Sequence, residues 1–143
     1  ADAVEQALDD VVRQTGAVTM AGAIDAPEIP VPTDVALADG DTVTIGNVTL
    51  DVMQLVGHTP GSIALAYDDP EGHAHIWTGD CLFPGGVGNT WDDPERFASL
   101  YRDVVSKFFD AYPDDTWVYP GHGADTTLGA ERPQLAAWSE RGW

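Results

Sequence analysis

Gly57-His58-Thr59-Pro60-Gly61-Ser62 follows a segment rich in β-branched residues, Val48 to Val56. Glycine and proline fix sharp backbone paths, so the imidazole leaves the strand end at a set angle. Thr78-Gly79-Asp80-Cys81-Leu82-Phe83 and Tyr119-Pro120-Gly121-His122-Gly123 likewise place a metal-capable side chain in a tight turn beside a predicted strand. Because sheet scaffolds commonly build sites on rigid loops, these turns predict one shared site.

The candidate ligands in these turns are His58, Asp80 and His122. Neutral imidazole and carboxylate suit zinc, iron(II) or manganese, and a carboxylate can bridge two cations. Their wide separation along the chain carries no signature of the kind that a closely spaced zinc-finger pattern gives. Residue chemistry alone therefore predicts a partial metal shell.

The surrounding pattern predicts an α/β protein, classed as α+β in some schemes, with helices packed on a mixed sheet. The predicted helices are Asp2–Thr15, Pro94–Tyr112 and Leu128–Trp138, and the predicted strands are Ala17–Ala21, Thr42–Ile45, Val48–Val56, Ser62–Tyr67, His75–Thr78 and Thr116–Tyr119. A proline-rich surface loop, Pro27 to Pro32, separates the first strand from the hairpin. Asp92 or Asp93 is available to cap the second helix.

Composition narrows the classes of partner. The 143 residues fit one domain, and 24 acidic against 6 basic residues give a formal net charge of −18. Such a surface repels phosphate backbones and anionic membranes, so we expect no nucleic-acid or membrane partner. A single cysteine, Cys81, excludes an intrachain disulfide, and a cytoplasmic location is the default expectation.

The three turns together resemble three metal motifs of the metallo-β-lactamase superfamily, in the family's order. The glycine-rich continuation from Phe83 to Asn89 resembles the glyoxalase II-like branch. The resemblance runs from about Ala1 to Trp143. It implies the second half of an αββα sandwich, with helices on the outer face of a mixed sheet.

The resemblance also implies roles for the three ligands. His58 would bind a first metal, His122 a second, and Asp80 would bridge them. The family's usual pair is zinc, with iron or manganese as alternatives. A hydroxide held between the ions would hydrolyse a small-molecule thioester or ester. β-Lactam hydrolysis is disfavoured, because Asp80 stands where the zinc β-lactamases commonly carry cysteine.

The family's His-x-His-x-Asp-His loop does not occur in the sequence. His73 and His75 match only two of its letters, and we interpret them as ordinary surface or strand histidines. Residues 1–143 are therefore predicted to be a partial domain that lacks the N-terminal half, where the catalytic residues are expected. One histidine plus a shared carboxylate is fewer than the three protein ligands typical of catalytic zinc, so the chain alone should be inactive.

Three explanations remain open. The chain is the remnant of a longer enzyme, is completed by another polypeptide, or is a degenerate relative. Because half a sandwich would expose the inner face of its sheet, we expect association with a missing N-terminal segment or with a second copy of the chain.

The glycine-rich loop bears on the substrate. Asn89 and Trp91 stand where glyoxalase II enzymes tend to carry a basic and then an aromatic residue, and they are the candidate substrate-binding residues. The loss of the basic charge disfavours glutathione. Two alternative functions are a mono-iron, sulfur dioxygenase-like enzyme and a noncatalytic binding or scaffold protein. Cys81 is predicted to be a small packed residue, and three tryptophans are predicted to be core or packing residues: Trp117, Trp138 and Trp143.

Overall fold

The computed structural model describes residues 3–143. Its first helix is α1 (Ala3–Thr15). The predicted helix starts at Asp2, but Ala1 and Asp2 lie outside the described residues. Among residues 3–143, no side chain of α1 is buried, and Val4 is 76% exposed. The described elements leave the apolar residues of this helix largely open to solvent. No helix in the described part of the chain is long and apolar enough to cross a membrane.

The strands carry most of the fold. In chain order they are β1 (Met20–Gly22), β2 (Val35–Leu37), β3 (Thr42–Ile45), β4 (Val48–Gln54), β5 (Ile63–Asp68), β6 (Ala74–Gly79), β7 (Leu82–Phe83), β8 (Gly86–Val87), β9 (Trp117–Pro120) and β10 (Thr126–Thr127). Six of them form one sheet in the order β10-β9-β6-β5-β4-β3. The β6–β9 pair is parallel and the others are antiparallel, which confirms the predicted mixed sheet.

The short strands depart from the sequence prediction. The strand predicted at Ala17–Ala21 begins only at Met20, and it pairs in parallel with β2, which the sequence pattern did not predict. The glycine-rich segment folds into a hairpin, β7–β8. Both pairs are two or three residues long, which is too short for alternation to reveal them.

The helices cover one face of the sheet. Helix α2 (Pro94–Val104) starts at Asp93, whose side chain accepts hydrogen bonds from two backbone N–H groups, and it continues as a π-helical turn, Val105–Phe109. The third predicted helix is divided into α3 (Leu128–Glu131), a 3₁₀ turn (Arg132–Gln134) and α4 (Leu135–Arg141), because Pro133 lacks the N–H of a continuous helix. The core includes Leu82, Leu100, Val104, Phe108, Phe109, Val118 and Trp138.

On the opposite face, Leu37 of β2 packs with Val43, Leu50 and Val52, whereas the part formed by β6 and β9, here called the open face, is aromatic. Since strand side chains alternate, Ile76 points into the core while His75 and Trp77 point away from it. Trp77 is 42% and Trp117 39% exposed, and the His75 ring stacks on Tyr119. Trp138 is buried as predicted. Trp117 and Trp143, which is 68% exposed, are not core residues but make ring contacts, Trp117 with His73 and Trp143 with the Arg141 guanidinium.

Candidate metal centre

Asp80 lies between the two predicted histidine ligands. Its Oδ2 is 3.4 Å from His58 Nε2, and its Oδ1 is 3.3 Å from His122 Nδ1. Each carboxylate oxygen thus faces one imidazole nitrogen. The structure brings together the three residues that the separate turns predict.

The parallel β6–β9 pair positions Asp80 and His122. Parallel strands end at the same edge of a sheet, so the residues that follow β6 and β9 become neighbours. Gly79 adopts φ +53° to turn the chain, and Gly121 N–H donates to the Gly79 carbonyl at 2.8 Å. A Cβ on Gly121 would lie 2.9 Å from Asp80 Oδ1, so only glycine allows this approach.

His58 is fixed by the backbone of the glycine-rich loop. Its Nδ1 lies 2.8 Å from the Asn89 carbonyl oxygen, which can only accept. Nδ1 therefore carries the proton, and the lone pair is on Nε2, the atom that faces Asp80. Histidine ligands of metals characteristically donate their second ring N–H in this way.

This arrangement suits a cation. A lone pair on Nε2 and a carboxylate oxygen that face each other repel unless a proton or a metal ion lies between them. Charge-assisted hydrogen bonds are about 2.7–2.9 Å long, shorter than either separation here. Two ligand atoms at about 2.0–2.2 Å from a tetrahedral zinc lie about 3.3–3.6 Å apart, which matches both separations.

The shell is nevertheless partial. Within residues 3–143, no group of three or more histidine, cysteine or acidic side chains converges on one metal position. This agrees with the geometry, because Asp80 uses a different oxygen for each histidine. Each candidate metal position has one imidazole and one carboxylate oxygen, which is fewer than the three protein ligands of a catalytic zinc site.

Known proteins are similar to this chain in sequence and in fold. No protein-family model matches the sequence. An uncharacterised protein of Mycobacterium leprae is 41% identical over 96 residues, covering 66% of this chain and 42% of that protein. A hydroxyacylglutathione hydrolase of Fuscovulum blasticum is 35% identical over 119 residues, covering 82% and 43%. Human mitochondrial persulfide dioxygenase is 34% identical over 89 residues, covering 62% and 34%. The chain spans less than half the length of these relatives.

Solved structures give the same picture. A Myxococcus xanthus protein named ETHE1 superposes with a TM-score of 0.76 at 27% identity, covering 94% of this chain and 58% of that one. A B3 metallo-β-lactamase, BLEG-1, superposes with a TM-score of 0.78 at 24% identity, covering 89% and 68%. A third neighbour, crystallised in a di-iron-bound form, has a TM-score of 0.63 at 28% identity, covering 88% and 67%.

The chain carries the second half of the metallo-β-lactamase fold. The predicted fold class and the resemblance are thereby confirmed. Proteins of this fold bind zinc or iron, so a metal cofactor is supported in general terms.

The two halves of this metallo-β-lactamase-fold site differ in burial. The His58 side chain is 18% exposed, Asp80 43% and His122 75%. The Phe83 ring packs against His122 at a tilt of 49°, with ring centroids 4.7 Å apart, which is the only ring contact of His122 within residues 3–143. The His58 side is enclosed by this chain, whereas the His122 side faces solvent.

The predicted substrate residues Asn89 and Trp91 lie against His58. The Asn89 carbonyl accepts from the imidazole, and the Trp91 ring stacks on it at 5.8 Å and donates Nε1–H to the His58 carbonyl at 3.2 Å. Trp91 has φ +62°, in the left-handed region, and remains 56% exposed. Their contacts hold the His58 loop in place.

Sequence reasoning missed Arg96. Its Nε donates to the Gly57 carbonyl at 2.8 Å and its Nη2 to the His58 carbonyl at 2.7 Å, so one guanidinium closes the loop around the ligand. The position of Arg96 in the sequence gives an indication of this role. A positive charge in the first turn of a helix interacts unfavourably with the helix dipole, so its presence there indicates a specific contact.

The glycine-rich loop forms one wall of an open cavity of about 430 Å³ beside the site. Phe83 and Asn89 border both the cavity and the ligands. A Cβ on Gly88 would lie 1.7 Å from the Asp80 carbonyl oxygen, so the loop packs directly on the ligand strand. Glu131 ties the loop to α3 by accepting a hydrogen bond from Gly85 N–H at 2.7 Å.

Cys81 is a packed residue, as predicted. It is 1% exposed, and burial raises the pKa of its thiol to about 12. A thiol of such low acidity is a poor nucleophile at neutral pH.

Proposed function

We propose that this chain supplies three metal ligands and one substrate wall to a metal-dependent hydrolase of the metallo-β-lactamase fold. One observation carries the proposal: each oxygen of Asp80 faces one imidazole nitrogen, at 3.4 and 3.3 Å. Zinc is the expected metal, because imidazole and carboxylate are among its common ligands. The bound metals would supply an activated water and would polarise the carbonyl under attack.

The chain's own residues would prepare that chemistry. The Asn89 carbonyl holds the His58 tautomer whose Nε2 lone pair faces the metal position. Asp80 spaces the two positions, and Trp91 covers the His58 ring. The substrate would lie in the cavity along the glycine-rich loop, where Phe83 offers an apolar contact beside His122.

We infer that other residues complete the site. Two ligands at each metal position are too few for catalysis, and Trp77 and Trp117 on the open face are 42% and 39% exposed. A second sheet that covers the open face would bury these tryptophans and could supply further histidine ligands. This second sheet would come from another part of the same polypeptide or from a partner chain. A small thioester or ester is the proposed substrate, and the net charge of −18 argues against nucleic acid or membranes as partners.

A persulfide dioxygenase is the second candidate. Human persulfide dioxygenase is 34% identical to this chain over 89 residues, and the Myxococcus xanthus ETHE1 structure superposes with a TM-score of 0.76. Such an enzyme would hold one iron, so His58 and His122 would have to share one metal position instead of the two that the Asp80 oxygens define here. A noncatalytic binding protein is the remaining alternative.

The test is metal analysis joined to activity in the longest gene product that contains this chain. We expect two zinc ions per protein and hydrolysis of a small thioester. Asp80→Asn should remove both metals, whereas the control Asp92→Asn should keep them, because Asp92 is an exposed neighbour outside the trio. One iron with oxygen-dependent persulfide oxidation would favour the second candidate. Metal retained in Asp80→Asn would contradict both.

A further inference from the structure

The last residue of α4, Arg141, lines the cavity beside the candidate metal centre. The glycine-rich loop forms one wall of this cavity, and Arg141 and Trp143 form another. A Cβ on Gly86 would lie 3.1 Å from Arg141 Nη2, so the guanidinium packs directly on the loop. The cavity therefore extends from Phe83 and Asn89, which contact the two histidine ligands, to a positive charge.

The end of α4 positions this guanidinium. Gly142 caps the helix with φ +79°, in the left-handed region, and this turn brings Trp143 back over Arg141. The guanidinium carbon lies 4.0 Å from the centroid of the Trp143 ring. Arg141 Nε donates to the Trp143 backbone oxygen at 2.6 Å, and Nη2 donates to the Gly85 carbonyl at 2.7 Å. Because the side chain is already held in one orientation, it loses little conformational freedom when a ligand binds.

The guanidinium keeps hydrogen-bonding capacity for a ligand. Arginine has five N–H donors, and the bonds to Trp143 and Gly85 use two of them. Three N–H groups remain, two on Nη1 and one on Nη2. A carboxylate accepts two parallel N–H bonds from a guanidinium. Arg141 can therefore bind a carboxylate without giving up either contact that holds it in place.

Arg141 has no acidic partner. Of the 6 basic residues in the sequence, three form ion pairs with carboxylates: Arg13, Lys107 and Arg132. Arg141 forms none with the acidic side chains of residues 3–143, although Asp92 also lines the cavity. It is the one basic side chain among the described residues that line this cavity. Its charge is therefore available to an anionic group of a ligand.

We propose that Arg141 is a specificity-determining residue that binds a carboxylate group of the substrate. The proposal rests on the proposed function and names its substrate class, a small thioester that carries a carboxylate. A carboxylate is favoured over a phosphate dianion, because a net charge of −18 repels two negative charges more strongly than one.

The experiment measures binding separately from catalysis, in the longest gene product that contains this chain. The probes are S-benzyl-3-mercaptopropionate, a thioether that cannot be hydrolysed as a thioester, and its uncharged N-methylamide. NMR titrations give both affinities in the wild type and in Arg141→Gln. The wild type should prefer the carboxylate about fivefold, the upper end for a solvent-exposed ion pair. Arg141→Gln should abolish this preference. In the wild type, the carboxylate should shift the Trp143 indole N–H signal more than the amide does.

The paired probes separate charge recognition from support of the loop. A residue that only supports the loop would affect both probes alike, so an equal loss of affinity for both in Arg141→Gln overturns the proposal. Arg102→Gln is the matched control for net charge, because Arg102 is an exposed residue of α2 outside the cavity lining. It should keep the preference, and loss of the preference in Arg102→Gln would also overturn the proposal. Arg141→Lys keeps the charge without the planar fork and should keep part of the preference.

The outcomes are separable from those of the proposed function. Hydrolysis is measured with S-benzoyl-3-mercaptopropionate and its N-methylamide, by the thiol that each releases. If neither is hydrolysed, the proposed function fails, and the binding preference still decides whether Arg141 binds a carboxylate. If both are hydrolysed but the wild type binds the two thioethers equally, the proposed function stands and the role of Arg141 is overturned. If Arg141→Gln does not fold, the Trp143 indole signal of the wild type decides. A shift specific to the carboxylate supports the role, and its absence overturns it.

Discussion

The two histidines that flank Asp80 sit in unlike surroundings. His58 is 18% exposed and is held by Asn89, Trp91 and Arg96, all from this chain. His122 is 75% exposed, and Phe83 is its one ring contact within residues 3–143. The chain therefore organises the His58 half of the candidate centre, whereas its described residues leave the His122 half exposed.

Ligand deletion gives the largest expected effect and the sharpest test of this difference. His58→Ala should lower zinc affinity by about 100-fold, since it removes a ligand already held in its binding orientation. His122→Ala should cost about tenfold, because an exposed side chain loses more conformational entropy on binding. Zinc titration followed by calorimetry measures both. Equal losses would remove the distinction between the two halves.

Gly121→Ala acts on the shared carboxylate. The new Cβ would lie 2.9 Å from Asp80 Oδ1, so Asp80 must turn away from both histidines. Because the clash is with a side-chain end, the free energy of unfolding should change by less than about 1 kcal/mol while zinc affinity falls at least tenfold. Gly72→Ala is the matched control, since its Cβ would meet Asp69 Oδ2 at 3.2 Å, far along the sheet. A loss of zinc affinity in Gly72→Ala would show that the effect is not local.

Arg96→Ala should affect the His58 half alone. The Gly57 and His58 carbonyls lose charge-assisted hydrogen bonds, which contribute about 1.5–3 kcal/mol each in buried settings and less in this partly exposed one. We expect weaker zinc binding at His58 and an unchanged His122 imidazole signal during an NMR titration. Arg102→Ala, on the same helix, is the control. Simultaneous changes at both histidines in Arg96→Ala would contradict the independence of the two halves.

Phe83→Ala should have the smallest effect. It removes the ring contact of His122, worth about 0.5–1.5 kcal/mol for aromatic pairs, from a side chain that is already exposed. We expect broader His122 resonances and a two- to threefold loss of zinc affinity, roughly the lower end of that range. An unchanged His122 line width would show that some other contact holds the ring.

The sequence predicts the sheet and the three ligand turns well, for a physical reason. Each turn joins local signals, a β-branched run and then glycine or proline, that a short window contains. What it misses depends on distant contacts. The reach of Arg96 to the His58 carbonyl and of Asp25 to Gly61 joins residues 38 and 36 positions apart. The sequence pattern misses strand β2 for the same reason, because β2 forms by pairing with β1.

The tryptophan predictions show a different limit. Three tryptophans are predicted to be core or packing residues, and of these Trp138 alone is buried. Trp117 lies on the open face and is 39% exposed, so residue type alone does not distinguish it from the buried Trp138.

The parallel pairing of β6 with β9 has a consequence for the order of folding. Asp80 and His122 become neighbours only after a crossover that includes α2 has closed, and such non-local pairings are the slow steps of folding. The hairpins β3–β4 and β4–β5 can form before that closure, but the ligand pair cannot. A metal ion would therefore meet its binding partners late, so added zinc should slow unfolding and leave the refolding rate nearly unchanged.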